Sequence, residues 1–295
     1  MYRIAIATVA CMLASGCGSN KDPFANTADG SVSQQADAST TTGADAGTSA
    51  DAGTLACAPA PTRLVVLGDS ITACSTIGGI NGAGCSPHIF HGYVDSNYAS
   101  GVAYQNYAVG GAVTKDVPDN QLDNIPTGQA GHVLVLIYIG GNDLQPYIFI
   151  SDDAAQSRFD TEMPDILAQW QRIFDFFDDS QAFPDGVTIM MNSQYDPFDD
   201  CTAAPYNLSP LKIQLLGQFN ADLRQLADSH DNVVFTDQHT PYLGHGHHYN
   251  VAECPYYIPN AEPWMEDLIH PNAAGHANLA TQWAKTADRM YRDCQ

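Results

Sequence analysis

Residues 64–70 read LVVLGDS, a short apolar run that ends in glycine and is followed by an acid and a serine. A continuous apolar run of this length is typical of a strand that is covered on both faces of a parallel sheet. In such sheets, ligands bind beyond the carboxyl ends of the strands. Residues 64–67 therefore predict a buried strand, and Ser70 is expected at the functional edge of the sheet.

Four further segments predict the rest of the sheet. Residues 133–139, 187–191 and 233–235 are apolar runs, and residues 103–108 form a weaker candidate. Between these runs, apolar residues recur with helical spacing at 166–177, 211–226 and 276–290. Asn272 is predicted to cap the last of these helices. Strands that alternate with helices indicate an α/β fold with a five-stranded parallel sheet.

The composition suits one large domain, which we expect to fill residues 63–295. The chain has 295 residues, and 44% of them are apolar, which is enough for a sizeable core. It carries 33 acidic residues against 11 basic ones, for a formal net charge of -22. Because an acidic surface repels phosphate backbones, the composition argues against a nucleic-acid partner.

The first 62 residues have the features of an exported chain. Residues 1–16 contain Arg3 and an apolar stretch that is too short to span a membrane, and they predict a signal peptide. The small residues before Cys17 resemble a bacterial lipobox, which implies lipidation of Cys17 and a membrane anchor in the cell envelope. The alternative is an ordinary signal peptide and a fully secreted chain. Residues 17–62 are rich in Ala, Asp, Ser, Thr and Gly and predict a disordered acidic tether.

Six cysteines follow Cys17, and an even number in an exported chain favours disulfides over metal or redox chemistry. They are Cys57, Cys74, Cys85, Cys201, Cys254 and Cys294. Spacing does not determine connectivity. The pairing that we favour is Cys74–Cys85, Cys201–Cys254 and Cys57–Cys294.

The residues that follow the predicted strands can supply the parts of an acyl-transfer site. Such a site needs a nucleophile, a base, a group that orients the base, and donors for an oxyanion. Ser70 can be the nucleophile and His270 the base, while Asp267 precedes His270 by about one helical turn and can orient its ring. The backbone N–H groups of Ser70 and Gly111 and the amide of Asn142 can hold the oxyanion.

These motifs, in this order, resemble the SGNH hydrolases, also called the GDSL esterase/lipase family. The resemblance extends from residue 63 to about residue 292, with mild departures at Ile71 and at Ala112-Val113. It implies a three-layer α/β/α sandwich and hydrolysis of a small ester or of an acylated glycan or lipid. Ser70, Asp267 and His270 would be catalytic, with no cofactor and no metal, and we expect a monomer.

Several alternatives stay open at this point. Ser70 and the Asn142-Asp143 pair can also be helix caps, Gly110 can replace Gly111 as the oxyanion donor, and His270 can be an ordinary loop histidine. The same cleft can serve a surface module that binds glycans or lipids without catalysis. An acyltransferase would use the same residues as a hydrolase.

A loop between the last predicted strand and Asp267 is crowded with histidines and aromatic residues. The histidines are His239, His245, His247 and His248. From its position we expect a substrate-binding rim or lid that is held in part by Cys254. A metal site is a more specific alternative to a rim or lid, but clustered histidines in a loop usually indicate solvated surface.

Overall fold

Five parallel strands form the centre of the fold. The computed structural model describes residues 57–293, in which the strands are β1 (Arg63–Gly68), β2 (Ala103–Asn106), β3 (Val133–Tyr138), β4 (Val187–Asn192) and β5 (Val233–Thr236). Their order across the sheet is β2-β1-β3-β4-β5, and each neighbouring pair is parallel. All five predicted runs are therefore confirmed as strands.

Burial explains why some strands had a stronger sequence pattern than others. Every residue of β1, β3 and β4 is buried, as expected for strands with helices on both faces. β2 lies at the edge of the sheet, and its side chains are exposed or partly exposed. Because an edge strand buries less surface, residues 103–108 carry fewer large apolar side chains, and the strand itself ends at Asn106.

Helices cover both faces of the sheet. They are α1 (Ser86–Asn97), α2 (Gly141–Leu144), α3 (Asp152–Phe177), α4 (Pro210–Ala227) and α5 (Ala273–Tyr291). The long helices α3 and α4 share one hydrophobic cluster with Val65 and Leu67 of β1. Helices α1 and α5 share the other cluster with Leu64 and Val66, because successive side chains of a strand point to opposite faces. The fold is the predicted three-layer α/β/α sandwich.

The predicted cap fixes the start of α5. The Asn272 Oδ1 atom accepts hydrogen bonds from the N–H groups of Ala274 at 2.9 Å and Gly275 at 3.1 Å. These bonds satisfy two of the free donors in the first turn of the helix. The Asn272 side-chain amide also donates to the Pro263 carbonyl at 2.8 Å. The cap therefore sets the direction of the chain directly after His270.

Two of the three predicted disulfides are present. The Cys74–Cys85 bond closes the loop after β1, and the Cys201–Cys254 bond joins the β4–α4 connection to the segment after β5. All four cysteines are buried. The predicted Cys57–Cys294 pair depends on Cys294, which lies outside the described residues.

The predicted signal peptide, Cys17 and most of the predicted tether also lie outside the described residues. The end of the tether differs from the expectation. The Ala58 N–H donates to the Met290 carbonyl and the Thr62 N–H donates to the His132 carbonyl, so these residues already belong to the folded domain. Amino-acid composition gives no indication of backbone hydrogen bonds such as these, so it could not show where the tether ends. None of the helices in residues 57–293 is both long enough and apolar enough to cross a membrane.

Candidate active site

Ser70 lies in a turn that directly follows β1. Gly68, the last residue of β1, has a φ of +139°, and a Cβ atom there would lie 2.1 Å from the Tyr138 carbonyl oxygen, so the position requires glycine. The Asp69 carboxylate accepts a hydrogen bond from the Ile71 N–H at 2.9 Å, which bends the chain around Ser70. No helix begins at Ser70, because the first helix in residues 57–293 starts at Ser86. The alternative interpretation of Ser70 as a helix cap is therefore wrong.

A buried glutamine holds this turn from the other side. The Gly68 N–H donates to Gln121 Oε1 at 2.9 Å, and Gln121 Nε2 donates to the Gly68 carbonyl at 2.8 Å. Gln121 is almost completely buried. It lies 53 residues from Gly68 and belongs to no motif, so the sequence carried no signal for this role.

The predicted nucleophile, base and orienting acid form a connected chain of hydrogen bonds. The Ser70 Oγ atom lies 2.9 Å from His270 Nε2. The other ring nitrogen of His270, Nδ1, lies 2.8 Å from Asp267 Oδ2 and 3.0 Å from Oδ1. This is the geometry in which a histidine can take a proton from a serine hydroxyl while a carboxylate orients the ring. Tertiary structure thus brings Ser70 and His270, 200 residues apart, into contact.

Backbone groups keep Asp267 in its charged form. Burial alone would raise the pKa of this carboxyl, but the Ile269 and His270 N–H groups donate to it at 3.0 Å and 2.8 Å. Together with the His270 ring, these donors lower the pKa of Asp267 overall. An ionised carboxylate next to Nδ1 favours the tautomer in which Nδ1 carries a proton and Nε2 accepts one.

Asn142 lies in the short helix α2, and Gly111 lies in the loop that follows β2. The Asn142 side-chain amide donates to the Ala112 carbonyl at 2.9 Å, which links α2 to the Gly111 loop and leaves the second N–H of the amide free for a ligand. Gly111 has a φ of +81°, a conformation that L-residues rarely adopt. A Cβ atom on Gly111 would meet nothing within 4 Å, so the backbone conformation requires glycine here.

The N–H groups of Ser70 and Gly111 are free to bind an anion. Within residues 57–293, neither donates a hydrogen bond to another protein group. With the Asn142 amide, they can form an oxyanion hole of three donors.

Asp143 connects α2 to the loop that holds Gly111 and does not cap a helix. Its carboxylate accepts hydrogen bonds from the Thr114 N–H at 2.9 Å and from the Thr114 hydroxyl at 3.0 Å. Helix α2 begins after Gly140 with no side-chain cap, which corrects the alternative interpretation of Asn142-Asp143 as a capping pair. Burial raises the pKa of Asp143 to about 6, although the Thr114 donors oppose the rise.

The histidine-rich loop and Tyr195 hold the residues that precede His270. His247 Nε2 lies 3.1 Å from the Leu268 carbonyl, and the Tyr195 hydroxyl donates to the Ile269 carbonyl at 2.5 Å. Tyr195 in turn stacks on Tyr242, with ring centroids 4.3 Å apart. A cavity opens next to Ser70, and residues 239–264 do not line it. The expectation that this loop forms a substrate-binding rim is therefore wrong for this cavity. The sequence showed the aromatic residues of this loop but not which residues they contact.

One trio of potential metal ligands converges in the described part of the chain: Cys201, His248 and Cys254. The two sulfurs are joined in the disulfide, so they are not the thiolates that bind a metal. The His248 ring nitrogens lie 2.8 Å from the Phe198 carbonyl and 3.1 Å from the Ala203 carbonyl. The trio therefore acts as a structural cluster beneath the loop.

The part of the sequence that contains Ser70, Asn142 and His270 matches a known protein family. Residues 66–277 match the model of the GDSL-like Lipase/Acylhydrolase family, which covers well over half of the chain. The chain belongs to this family. Comparison of the sequence with curated proteins gave no match.

Solved structures with this fold include three from bacteria. An extracellular lipase from Streptomyces rimosus has a TM-score of 0.53 and 20% identity, and the match covers 77% of this chain and 99% of the lipase. The acetylxylan esterase Axe2 from Geobacillus stearothermophilus has a TM-score of 0.52 and 17% identity over 78% of this chain and 95% of the esterase. Phospholipase A1 from Streptomyces albidoflavus has a TM-score of 0.52 and 17% identity over 78% of this chain and 100% of the phospholipase. At these identities the likeness shows a shared fold.

In this member of the GDSL-like family, Asp69 is a buried acid beside the nucleophile. Burial raises the pKa of Asp69 to about 7, the Ile71 N–H opposes the rise, and the Asp143 carboxylate adds to it. The folded state therefore favours the protonated carboxyl. The resulting stabilisation is complete below the ordinary pKa of 3.8 and is lost as the pH rises through about 7.

We expect the variant Asp69→Asn, which is neutral at every pH, to lack this loss of stability. Between about pH 5 and pH 8, the stability of the variant should rise relative to the native chain, by an amount on the order of a few kcal/mol. Thermal unfolding across this pH range measures the difference. Asp165→Asn, on the exposed face of α3, is the control and should leave the profile unchanged. Parallel profiles for the native chain and Asp69→Asn would contradict the prediction.

Proposed function

We propose that this chain is a serine ester hydrolase that cleaves carboxylic esters, carrying acyl or acetyl groups on lipid or carbohydrate, through an acyl-enzyme intermediate. The observation that supports this most strongly is the chain of hydrogen bonds from Ser70 Oγ to His270 Nε2 at 2.9 Å and from His270 Nδ1 to Asp267 at 2.8 Å. A module that only binds its ligand has no need of a base in contact with a serine hydroxyl. Family membership agrees with the proposal.

The first half of the reaction acylates the enzyme. Ser70 Oγ attacks the carbonyl carbon of the ester while its proton passes to His270 Nε2. The carbonyl oxygen becomes an oxyanion, which the Ser70 and Gly111 N–H groups and the Asn142 amide stabilise. Collapse of this intermediate breaks the bond to the alcohol oxygen, which takes the proton from Nε2 and leaves.

The second half releases the acid. Water attacks the acyl-enzyme, gives a proton to His270 Nε2 and forms a second oxyanion in the same place. Collapse then breaks the bond to Ser70 Oγ, which regains the proton from Nε2. Each oxyanion donor typically contributes about 2.7–4 kcal/mol to the transition state. No step requires a cofactor.

We also propose that the enzyme is exported and held at the cell envelope by a lipid on Cys17. The lipobox-like sequence and the two disulfides support this, since disulfides persist in oxidising compartments. A single lipidated residue that carries several acyl chains would anchor the chain stably. Release of the chain into the medium without lipid would contradict this part of the proposal.

A fluorophosphonate probe tests the proposed nucleophile directly. We expect covalent labelling of the native chain, with the adduct located on Ser70 by mass spectrometry, because the probe reacts with serines that a histidine activates. Ser75→Ala is the matched control, since Ser75 lies in the same turn but has no hydrogen bond to a histidine, and this variant should label like the native chain. Absence of labelling would favour the non-catalytic binding module.

A further inference from the structure

A second serine–histidine pair lies in the interior of the domain. The Ser86 Oγ atom lies 2.9 Å from His276 Nδ1, although the two residues are 190 positions apart in the sequence. Their exposed fractions are 0% and 1%. Because a substrate cannot reach a hydroxyl that is buried in this way, Ser86 is not a second nucleophile. Buried polar groups cost free energy unless they are hydrogen-bonded, so the pair is best explained by what it holds together.

The Ser86 side of the pair is connected to the nucleophile. Ser86 is the first residue of α1 and directly follows Cys85, which is bonded to Cys74. Cys74 belongs to the turn that holds Ser70, since the N–H group of Ser75 donates to the Ser70 carbonyl at 3.1 Å. The disulfide therefore joins the start of α1 covalently to the turn that carries Ser70 Oγ.

The His276 side of the pair is connected to the base. The His276 N–H donates to the Asn272 carbonyl at 2.9 Å in the first turn of α5. Asn272 lies two residues after His270, and its own N–H donates to the Trp264 carbonyl at 2.8 Å. The His270 carbonyl in turn accepts a hydrogen bond from the Glu266 N–H at 2.8 Å. The position of His270 therefore depends on where α5 begins.

His276 stays neutral near a residue that becomes charged during the proposed reaction. Burial lowers the pKa of His276 to about 4, and the positive charge of His270 adds to this effect. A neutral ring does not repel the imidazolium that forms when His270 takes the proton of Ser70. His276 can therefore support the base without opposing its protonation.

Helices α1 and α5 are held together by apolar packing and by polar contacts near both ends. They share an apolar cluster in which the rings of Phe90 and Trp283 lie 6.0 Å apart. Near the ends of the two helices, the Tyr93 hydroxyl donates to Asp288 Oδ1 at 2.7 Å. Apolar contacts are non-directional, whereas a hydrogen bond constrains both distance and angle. The hydrogen bond between the two helix starts therefore fixes their relative position at the catalytic end.

We infer that Ser86 and His276 are positioning residues, whose hydrogen bond sets the distance between Ser70 Oγ and His270 Nε2. The inference rests on the proposed hydrolase function. The connections from Ser86 to Ser70 and from His276 to His270 form a closed circuit that includes the 2.9 Å contact between nucleophile and base. Loss of the Ser86–His276 bond opens this circuit, and a misplacement of about 1 Å can lower a rate about 100-fold.

The test compares His276→Leu with His276→Asn. Leucine fills the buried site but cannot bond to Ser86, whereas asparagine places a polar atom where Nδ1 lies and leaves part of the site empty. For p-nitrophenyl butyrate, we expect kcat to fall about tenfold in His276→Leu and KM to stay within about twofold, because the packing of the helices persists and the substrate cavity is unchanged. In His276→Asn, kcat should stay within about threefold of the native value. A role in packing alone predicts the opposite order of the two variants.

Ser86→Ala removes the other partner of the hydrogen bond. It should also lower kcat about tenfold with KM nearly unchanged, since the two residues act as a unit. Tyr93→Phe is the matched control, because it removes a hydrogen bond between the same two helices away from the catalytic end, and it should keep the native kcat. Thermal unfolding establishes which variants fold.

A native kcat in folded His276→Leu or folded Ser86→Ala would overturn this inference and leave the hydrolase proposal standing. A higher kcat in His276→Leu than in His276→Asn would do the same. If His276→Leu does not fold, Ser86→Ala decides the question. A loss in Tyr93→Phe as large as the loss in Ser86→Ala would show that contact between α1 and α5 matters irrespective of its place, which also overturns the assignment. A native chain that hydrolyses no ester would overturn both proposals.

Discussion

Ser70→Ala is expected to lower kcat/KM for p-nitrophenyl butyrate by roughly 10⁴-fold or more. The variant loses the atom that forms the acyl-enzyme, so hydrolysis has to proceed by direct attack of water. The oxyanion donors and the cavity stay in place and account for the small rate that remains. Steady-state kinetics with purified native and variant chains measure the effect.

The fold should survive this substitution. Ser70 is half-buried, and its hydroxyl makes one hydrogen bond, to His270 Nε2. Removal of one oxygen atom from the cavity wall leaves no buried group without a partner, since water can reach His270. Ser75→Ala controls for loss of a serine in the same turn and should keep the native rate. A folded Ser70→Ala variant that retains most of the native activity would refute the proposed nucleophile.

His270→Ala is expected to cause a loss of similar size, and the double variant Ser70→Ala/His270→Ala should be no slower than either single variant. The serine is a weak nucleophile unless a base takes its proton, so the two residues act as one unit. Removal of either one therefore removes nearly the whole of their joint effect, about 10⁴-fold or more. Kinetics of the three variants with one ester give the coupling between the two residues.

His230→Ala is the matched control for the histidine. His230 lies just before the start of β5, whereas Ser70 follows the end of β1, so the two lie at opposite ends of the strands. The His230 ring contacts the Leu226 carbonyl and Phe174. It should keep the native kcat/KM. Additive losses in the double variant would indicate that Ser70 and His270 act separately, and that result would contradict the relay.

The success of the sequence predictions has a local physical origin. β1, β3 and β4 are buried on both faces, so most of their residues are apolar, and glycine is required where the chain turns sharply, as at Gly68. The edge strand β2 is not under this constraint and had a weaker pattern. The Asp267–His270 pair is close in sequence, and its hydrogen bond follows from a spacing of three residues.

The failures concern residues whose role depends on distant partners. Gln121 binds Gly68 from a position 53 residues away, and Tyr195 binds Ile269 from 74 residues away. Neither glutamine nor tyrosine is unusual in its local sequence. The aromatic loop was visible in the composition, but its residues pack against the segment before His270 and do not line the cavity next to Ser70.

The sequence by itself determined the α/β class, the strands and the identity of the residues that meet at their ends. Its apolar periodicity and its short motifs report constraints that act on neighbouring residues. Only the tertiary structure decided how Ser70 is held, which loops support His270 and what shape the cavity has. The cavity forms where α2, α4 and the β4–α4 connection meet, and its size depends on how side chains from all three pack together. Packing between distant segments is a property of the whole fold, and no local pattern encodes it.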